Sequence, residues 1–134
     1  MPWLDAGCCH VGMLGLEVRD AQQTLLNARE IKNIDEIVLH NQAAAMVDGV
    51  YHQIFEELKP GVREADIVAS ATKRLYEMGS DQVEAINAIS GERYNLHPHN
   101  FTDRLFRPGD QAFFDVIQSY MGYRTCYYRT INVG

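Results

Sequence analysis

No stretch of the chain approaches the ~20 consecutive apolar residues that a membrane-spanning helix requires. Basic residues are in the minority and scattered: 12 Lys and Arg stand against 18 Asp and Glu, a formal charge of −6. A phosphate backbone would be repelled, which argues against a nucleic-acid partner. Cysteine is scarce, with only Cys8, Cys9 and Cys126. An odd count with two adjacent members does not form a disulfide framework, and reduced thiols in a cytoplasmic protein are expected. The first residues carry Asp5 and no basic segment ahead of an apolar block, unlike a secretory leader. Cys8-Cys9-His10 lacks the C-x-x-C spacing of a zinc site. The glycines form neither a dinucleotide-binding nor a phosphate-binding loop, and no internal repeat is visible.

What is present is the balance of an ordinary globular domain, 46% apolar and 22% charged in 134 residues. Between Ile31 and Leu58, the positions Ile34, Ile37, Asn41, Ala44, Val47, Tyr51, Ile54 and Leu58 recur at steps of three and four, one face of a long helix. Asn33 with Glu36 three residues on forms a capping signature, and Lys59-Pro60-Gly61 ends the pattern. Ile67, Ala71, Leu75 and Met78 mark a second helix over 64–78, closed by Gly79. A short Pro-Gly connection makes an antiparallel pair. Residues 21–28 carry a weaker helical signal.

After Gly79 the pattern changes. Val83, Ala85, Asn87 and Ile89 alternate along a strand that ends at Ser90-Gly91. Residues 92–110 show no period and are expected to form a loop or broken extended segment. Gln111–Tyr120 and Tyr123–Val133 are β-prone runs joined at Met121-Gly122 as a hairpin. The second run would leave a long aromatic edge. The fold class expected is α+β, two antiparallel helices packed on a mainly antiparallel sheet.

Asp115 lies within Ala112-Phe113-Phe114-Asp115-Val116-Ile117, where an ionised carboxylate is costly to bury without compensation. Two readings stay open: a metal ligand or catalytic carboxylate, or a salt bridge to Arg129 on the paired strand. His97 and His99 alternate along a polar segment, so at most one faces a given site. Tyr123 and Arg129 belong to a hairpin rich in hydroxyls and guanidiniums, suited to orienting a carboxylate or phosphate.

Several segments together resemble the creatinase, aminopeptidase P and methionine aminopeptidase superfamily, the pita-bread fold. They are Arg29-Glu30-Ile31-Lys32 with Asp35-Glu36-Ile37, Leu58-Lys59-Pro60-Gly61-Val62-Arg63-Glu64, Ser90-Gly91-Glu92, His97 or His99, Gly109-Asp110, Asp115, Gly122-Tyr123 and Arg129-Thr130. The resemblance implies that residues 29–134 are the first half of a catalytic domain, one half of a pita-bread fold. Residues 1–28 would then be a remnant of an N-terminal domain with its connector, and the chain would be truncated. It implies a hydrolase of the Xaa-Pro aminopeptidase or dipeptidase type acting on a peptide or small molecule, and a homodimer in the full-length parent. Metallopeptidases of the family hold two divalent ions, manganese, cobalt or zinc, on two Asp, one His and two Glu. Asp115 matches the first Asp. The second falls where this chain has Cys126, and the other three lie beyond residue 134. In the same pattern His97 or His99 steadies the oxyanion, and Tyr123 and Arg129 contact substrate. The run Tyr127-Tyr128-Arg129-Thr130 is also similar to creatinase, which works without metal on a small C–N substrate, so a metal-independent C–N hydrolase or a related lyase acting on a small zwitterion is the second reading. A catalytically inactive binding module is the third reading that the resemblance allows.

Overall fold

The computed structural model describes residues 20–96 and 100–134. It divides into two compact units, one ending at Lys32 and the other spanning Asn33–Gly134. The first contains helix α1 (Gln22–Glu30), whose opening N–H at Gln22 is accepted by the Asp20 carboxylate at 2.8 Å.

The second unit is built from helix α2 (Ile34–Glu57), helix α3 (Glu64–Glu77) and three strands, β1 (Gln82–Ser90), β2 (Gln111–Tyr120) and β3 (Tyr123–Asn132). The strands form one antiparallel sheet in the order β1-β2-β3. This is the expected α+β arrangement, helices on one face of an antiparallel sheet. Helix α2 begins where the capping signature places it: the Asn33 side chain accepts from Glu36 N–H at 3.0 Å, and the Glu36 carboxylate accepts from Asn33 N–H at 2.8 Å. The hairpin turns at Met121 (φ 51°) and Gly122 (φ 81°), two consecutive left-handed residues whose twist suits a two-residue connection. The Gly122 N–H is held by Asp81 Oδ2 at 2.8 Å.

The core lies between the helices and one face of the sheet. Val47, Val50, Tyr51 and Ile54 of α2 and Ile67, Ala71 and Leu75 of α3 pack on Ile86, Ala88, Ala112, Phe114, Val116 and Ile131. The apolar stripe of α2 is buried only in part. Ile34 and Ile37, expected on the core face, are 70% and 44% exposed, and burial begins at Ala43. Spacing defines a helical face but not how far along it the sheet reaches.

The segment expected to be an irregular loop is more ordered than its composition indicates. It opens with a short 3₁₀ helix, Gly91–Leu96. Residues 102–106 then run beside the connection between α2 and α3. Phe106 exchanges backbone hydrogen bonds with Gly61 (2.8 Å) and Val62 (2.9 Å), and Arg104 O accepts from Glu64 N–H at 3.0 Å. Its order comes from distant backbone partners, to which a search for local periodicity is blind. No helix among the described residues is long and apolar enough to cross a membrane.

Candidate functional site

Alternation along the strands sorts the polar residues of the sheet onto two faces. On β2, Ala112, Phe114, Val116 and Gln118 face the helices; the Gln118 amide donates to Ala43 O of α2 at 3.0 Å. Phe113, Asp115 and Ile117 face the other way. Opposite Asp115 stand Asn87 on β1 and Tyr128 on β3, while Cys126 sits diagonally, paired in register with Ile117.

Asp115 is 1% exposed. Its Oδ2 accepts from the Asn87 amide at 3.1 Å, and its Oδ1 lies 3.5 Å from Cys126 Sγ, which donates to it. Among the described residues no Lys, Arg or His forms an ion pair with this carboxylate. Positions 115 and 126 are diagonal neighbours across the β2–β3 pair. Cys126 is exposed, and burial of its sulfur together with the Asp115 charge pushes its thiol pKa up, which favours S–H over thiolate. The Asp115 charge, followed by Cys126, likewise raises the Tyr128 phenol. Beside the carboxylate, the Phe113 and Tyr128 rings stack at 5.4 Å, and Tyr94 of the 3₁₀ helix meets Phe113 edge-on at 6.0 Å.

The alternative partner for Asp115, Arg129, is on the opposite face, because 128 and 129 point apart on a strand. Its guanidinium lies over the Tyr127 ring at 4.7 Å and the Tyr51 ring at 5.4 Å, with Asp48 at 3.7 Å. Tyr123 also faces α2, where its hydroxyl donates to Glu36 at 3.1 Å and its ring meets His40 edge-on at 5.0 Å. Tyr127 completes this cluster with a 2.7 Å hydrogen bond to Asp48; burial and then Asp48 raise its pKa. Tyr123 and Arg129 therefore hold α2 on β3 and do not share a face with Asp115. Strand parity places both on the helix-facing side of β3, away from Asp115. His97 and His99 lie outside the described residues.

A second group of polar residues, not recognised in the sequence as a unit, surrounds Glu64 at the start of α3. Glu64 is fully buried and accepts from Ser90 Oγ (2.6 Å), Arg93 (2.6 Å), and Thr102 through both its N–H (2.9 Å) and hydroxyl (2.8 Å). Ser90 also accepts from Arg104 at 2.8 Å, and Arg104 binds Asp110 at 2.5 Å and Glu92 at 3.1 Å. The Arg104 hydrogen bond holds the Asp110 carboxyl below its usual range. Gly91 lies inside this network at φ +58°, and a Cβ there would run into the Arg104 guanidinium and come within 2.9 Å of Asp110 Oδ1. The signal that could have exposed the network was the density of Ser, Thr, Arg and acidic residues at 90–110 with a Glu at the start of α3. The network joins residues 90–93 to residues 100–110.

Residues 38–134 match the metallopeptidase family M24. The chain belongs to that family. A relative of this M24 chain is the probable dipeptidase PepE of Mycobacterium bovis, 30% identical over 115 residues, which are 85% of this chain and 31% of the relative. The crystal structure of dipeptidase PepE from Mycobacterium ulcerans superposes with a TM-score of 0.83 at 27% identity, covering 100% of this chain and 36% of that one. Prolidase from Pyrococcus furiosus superposes with a TM-score of 0.82 at 25% identity over 87% of this chain and 35% of that one. The M24 chain thus spans about a third of the length of the relatives it matches.

The donors on the Asp115 face do not fit the pair of hard divalent ions that the family pattern implies. Asp115 supplies one carboxylate, already engaged by an amide and a thiol. The neighbouring position supplies sulfur, where manganese-type ions take oxygen. No group of three His, Cys, Asp or Glu suited to a metal occurs among the described residues.

Proposed function

We propose that this M24 chain supplies the first half of the catalytic domain of a hydrolase of the Xaa-Pro aminopeptidase or dipeptidase type, with residues 29–134 in that domain and 1–28 as a remnant of an N-terminal domain and its connector. The observation that carries the reading is Asp115, a buried carboxylate met by neutral donors alone among the described residues, on the sheet face away from the helices and inside the stretch that matches the family. A charge in that position calls for a cation. Relatives named dipeptidase, prolidase and Xaa-Pro dipeptidase support a dipeptide ending in proline as the substrate. His97 or His99 is the proposed donor to the oxyanion that forms when water attacks the carbonyl.

The test is release of free proline from Xaa-Pro dipeptides by the full-length protein, assayed with and without added manganese, cobalt or zinc. Hydrolysis that falls more than ~100-fold in kcat/KM in Asp115→Ala, with the fold intact, supports the reading. Undiminished turnover in that variant, or no hydrolysis of any Xaa-Pro peptide, overturns it.

Cys126 favours a second reading. A thiol where the family pattern has an aspartate removes an oxygen donor and leaves Asp115 as a single charge. In this reading the enzyme is a metal-independent C–N hydrolase acting on a small zwitterion. Proline release independent of chelators, or hydrolysis of a small zwitterionic amide or amidine in place of peptides, separates it from the first.

A further inference from the structure

We infer that Cys126 is the residue that bars a manganese-type ion from Asp115, so that exchange of this one side chain for an oxygen donor opens the face to such an ion. The inference rests on the second reading and names the side chain by which this chain departs from the ligand pattern of its family.

The position suits a metal ligand, but the atom does not. Oxygens that share one small hard ion at about 2.1 Å stand roughly 3 Å apart. Cys126 Sγ lies 3.5 Å from Asp115 Oδ1, on the neighbouring strand and the same face. A carboxylate at 126 would therefore reach an ion bound to Asp115. The sulfur cannot take its place, because it is a soft donor and manganese-type ions take oxygen.

Both oxygens of Asp115 are engaged, one from each neighbouring strand. Oδ1 accepts from the Cys126 S–H, and Oδ2 accepts from the Asn87 amide at 3.1 Å. Charge points the same way. Asp115 brings a single negative charge to two divalent ions, whose mutual repulsion at close range has to be offset by anionic ligands. A carboxylate at 126 would add negative charge beside the first, and a neutral S–H adds none. Glu64, the other deeply buried carboxylate, is no substitute, since Arg93, Ser90 and Thr102 already occupy its oxygens.

The experiment measures manganese binding to the full-length protein by equilibrium dialysis, with urea unfolding in the presence and absence of manganese beside it. The expected result is weak binding to the wild type and at least about tenfold tighter binding to Cys126→Asp. Manganese then raises the unfolding midpoint of that variant and not of the wild type. Cys126→Asn offers a carbonyl oxygen without a second buried charge, so it gains in the same direction and decides the matter where Cys126→Asp folds poorly. The gain disappears when Asp115→Asn is combined with Cys126→Asp. A wild type that binds manganese as tightly as the folded variants overturns the inference. A gain that survives the loss of the Asp115 charge also overturns it, because the ion then sits elsewhere. Turnover separates the inference from the reading beneath it. Chelator-resistant turnover with equal manganese binding in wild type and variants keeps the second reading and removes the inference, whereas chelator-sensitive turnover in a wild type that binds manganese only weakly does the reverse.

Discussion

Glu64 and Asp115 are both carboxylates withdrawn from water, yet the chain treats them in opposite ways. Glu64 sits at the first position of α3, in the favourable field of a helix N-terminus, and four donors reach it from residues 90, 93 and 102. It joins three segments and is complete. Asp115 sits mid-strand with two neutral donors and no counter-charge among the described residues. Burial alone therefore does not make two carboxylates alike; the charge balance around each sets them apart.

The strongest challenge to this contrast is removal of each group. Glu64→Ala strands Arg93 and the Thr102 N–H, and is expected to lower stability by about 3–5 kcal/mol in urea unfolding. Glu64→Gln should cost less, because shape and part of the hydrogen bonding survive. A loss in Glu64→Ala below ~1 kcal/mol would mean that the network is not structural.

Gly91→Ala comes next. The left-handed backbone and the approach of Arg104 and Asp110 predict a cost of about 1–3 kcal/mol, read as a lower unfolding midpoint at unchanged m-value. A stabilised variant would show that the loop does not hold this geometry in solution.

Asp115→Asn should move stability by less than ~1 kcal/mol in either direction, since the charge it removes has no ionic partner to strand among the described residues. Under the proposed function its effect is expected in turnover instead. A large destabilisation would make Asp115 a structural residue like Glu64 and break the comparison.

The smallest effect concerns acid. The Asp110 carboxyl is held low by Arg104, so folding binds fewer protons there than the unfolded chain does. The stabilisation is present above the ordinary aspartate range and is lost as pH falls through the lower folded value. Stability measured from pH 5 downward should therefore fall less steeply in Asp110→Asn than in the wild type below about pH 4. Parallel curves would remove Asp110 from the acid response.

The helices and the hairpin were legible because local rules suffice for them. Asn33 and Glu36 cap α2 wherever its stripe leads, Pro60-Gly61 ends it, and Met121-Gly122 turns β2 into β3. Asp115 also stood out, as a charge in an apolar run. Its partner did not: Arg129 and Cys126 are both on β3, and only the register Asp115↔Tyr128 shows that Cys126 is on the same face and Arg129 on the other. One residue of slip would have exchanged them. Residues 92–110 were illegible for a different reason, since their order depends on Glu64 and on the backbone at 61–65, some thirty to forty positions away in the chain.

Residue order alone thus established the α+β class, the helix ends, the turn, the family resemblance and the presence of one charge in an apolar strand. These follow from contacts within a few positions, from strand period, and from segments whose order in the chain is itself the signal. Tertiary structure decided which face each β3 side chain occupies, where burial of α2 begins, and that Glu64 is paid in full while Asp115 is not. Those outcomes depend on strand register and on groups brought together from distant parts of the chain, and a buried charge is judged by what surrounds it in space rather than by its neighbours in sequence.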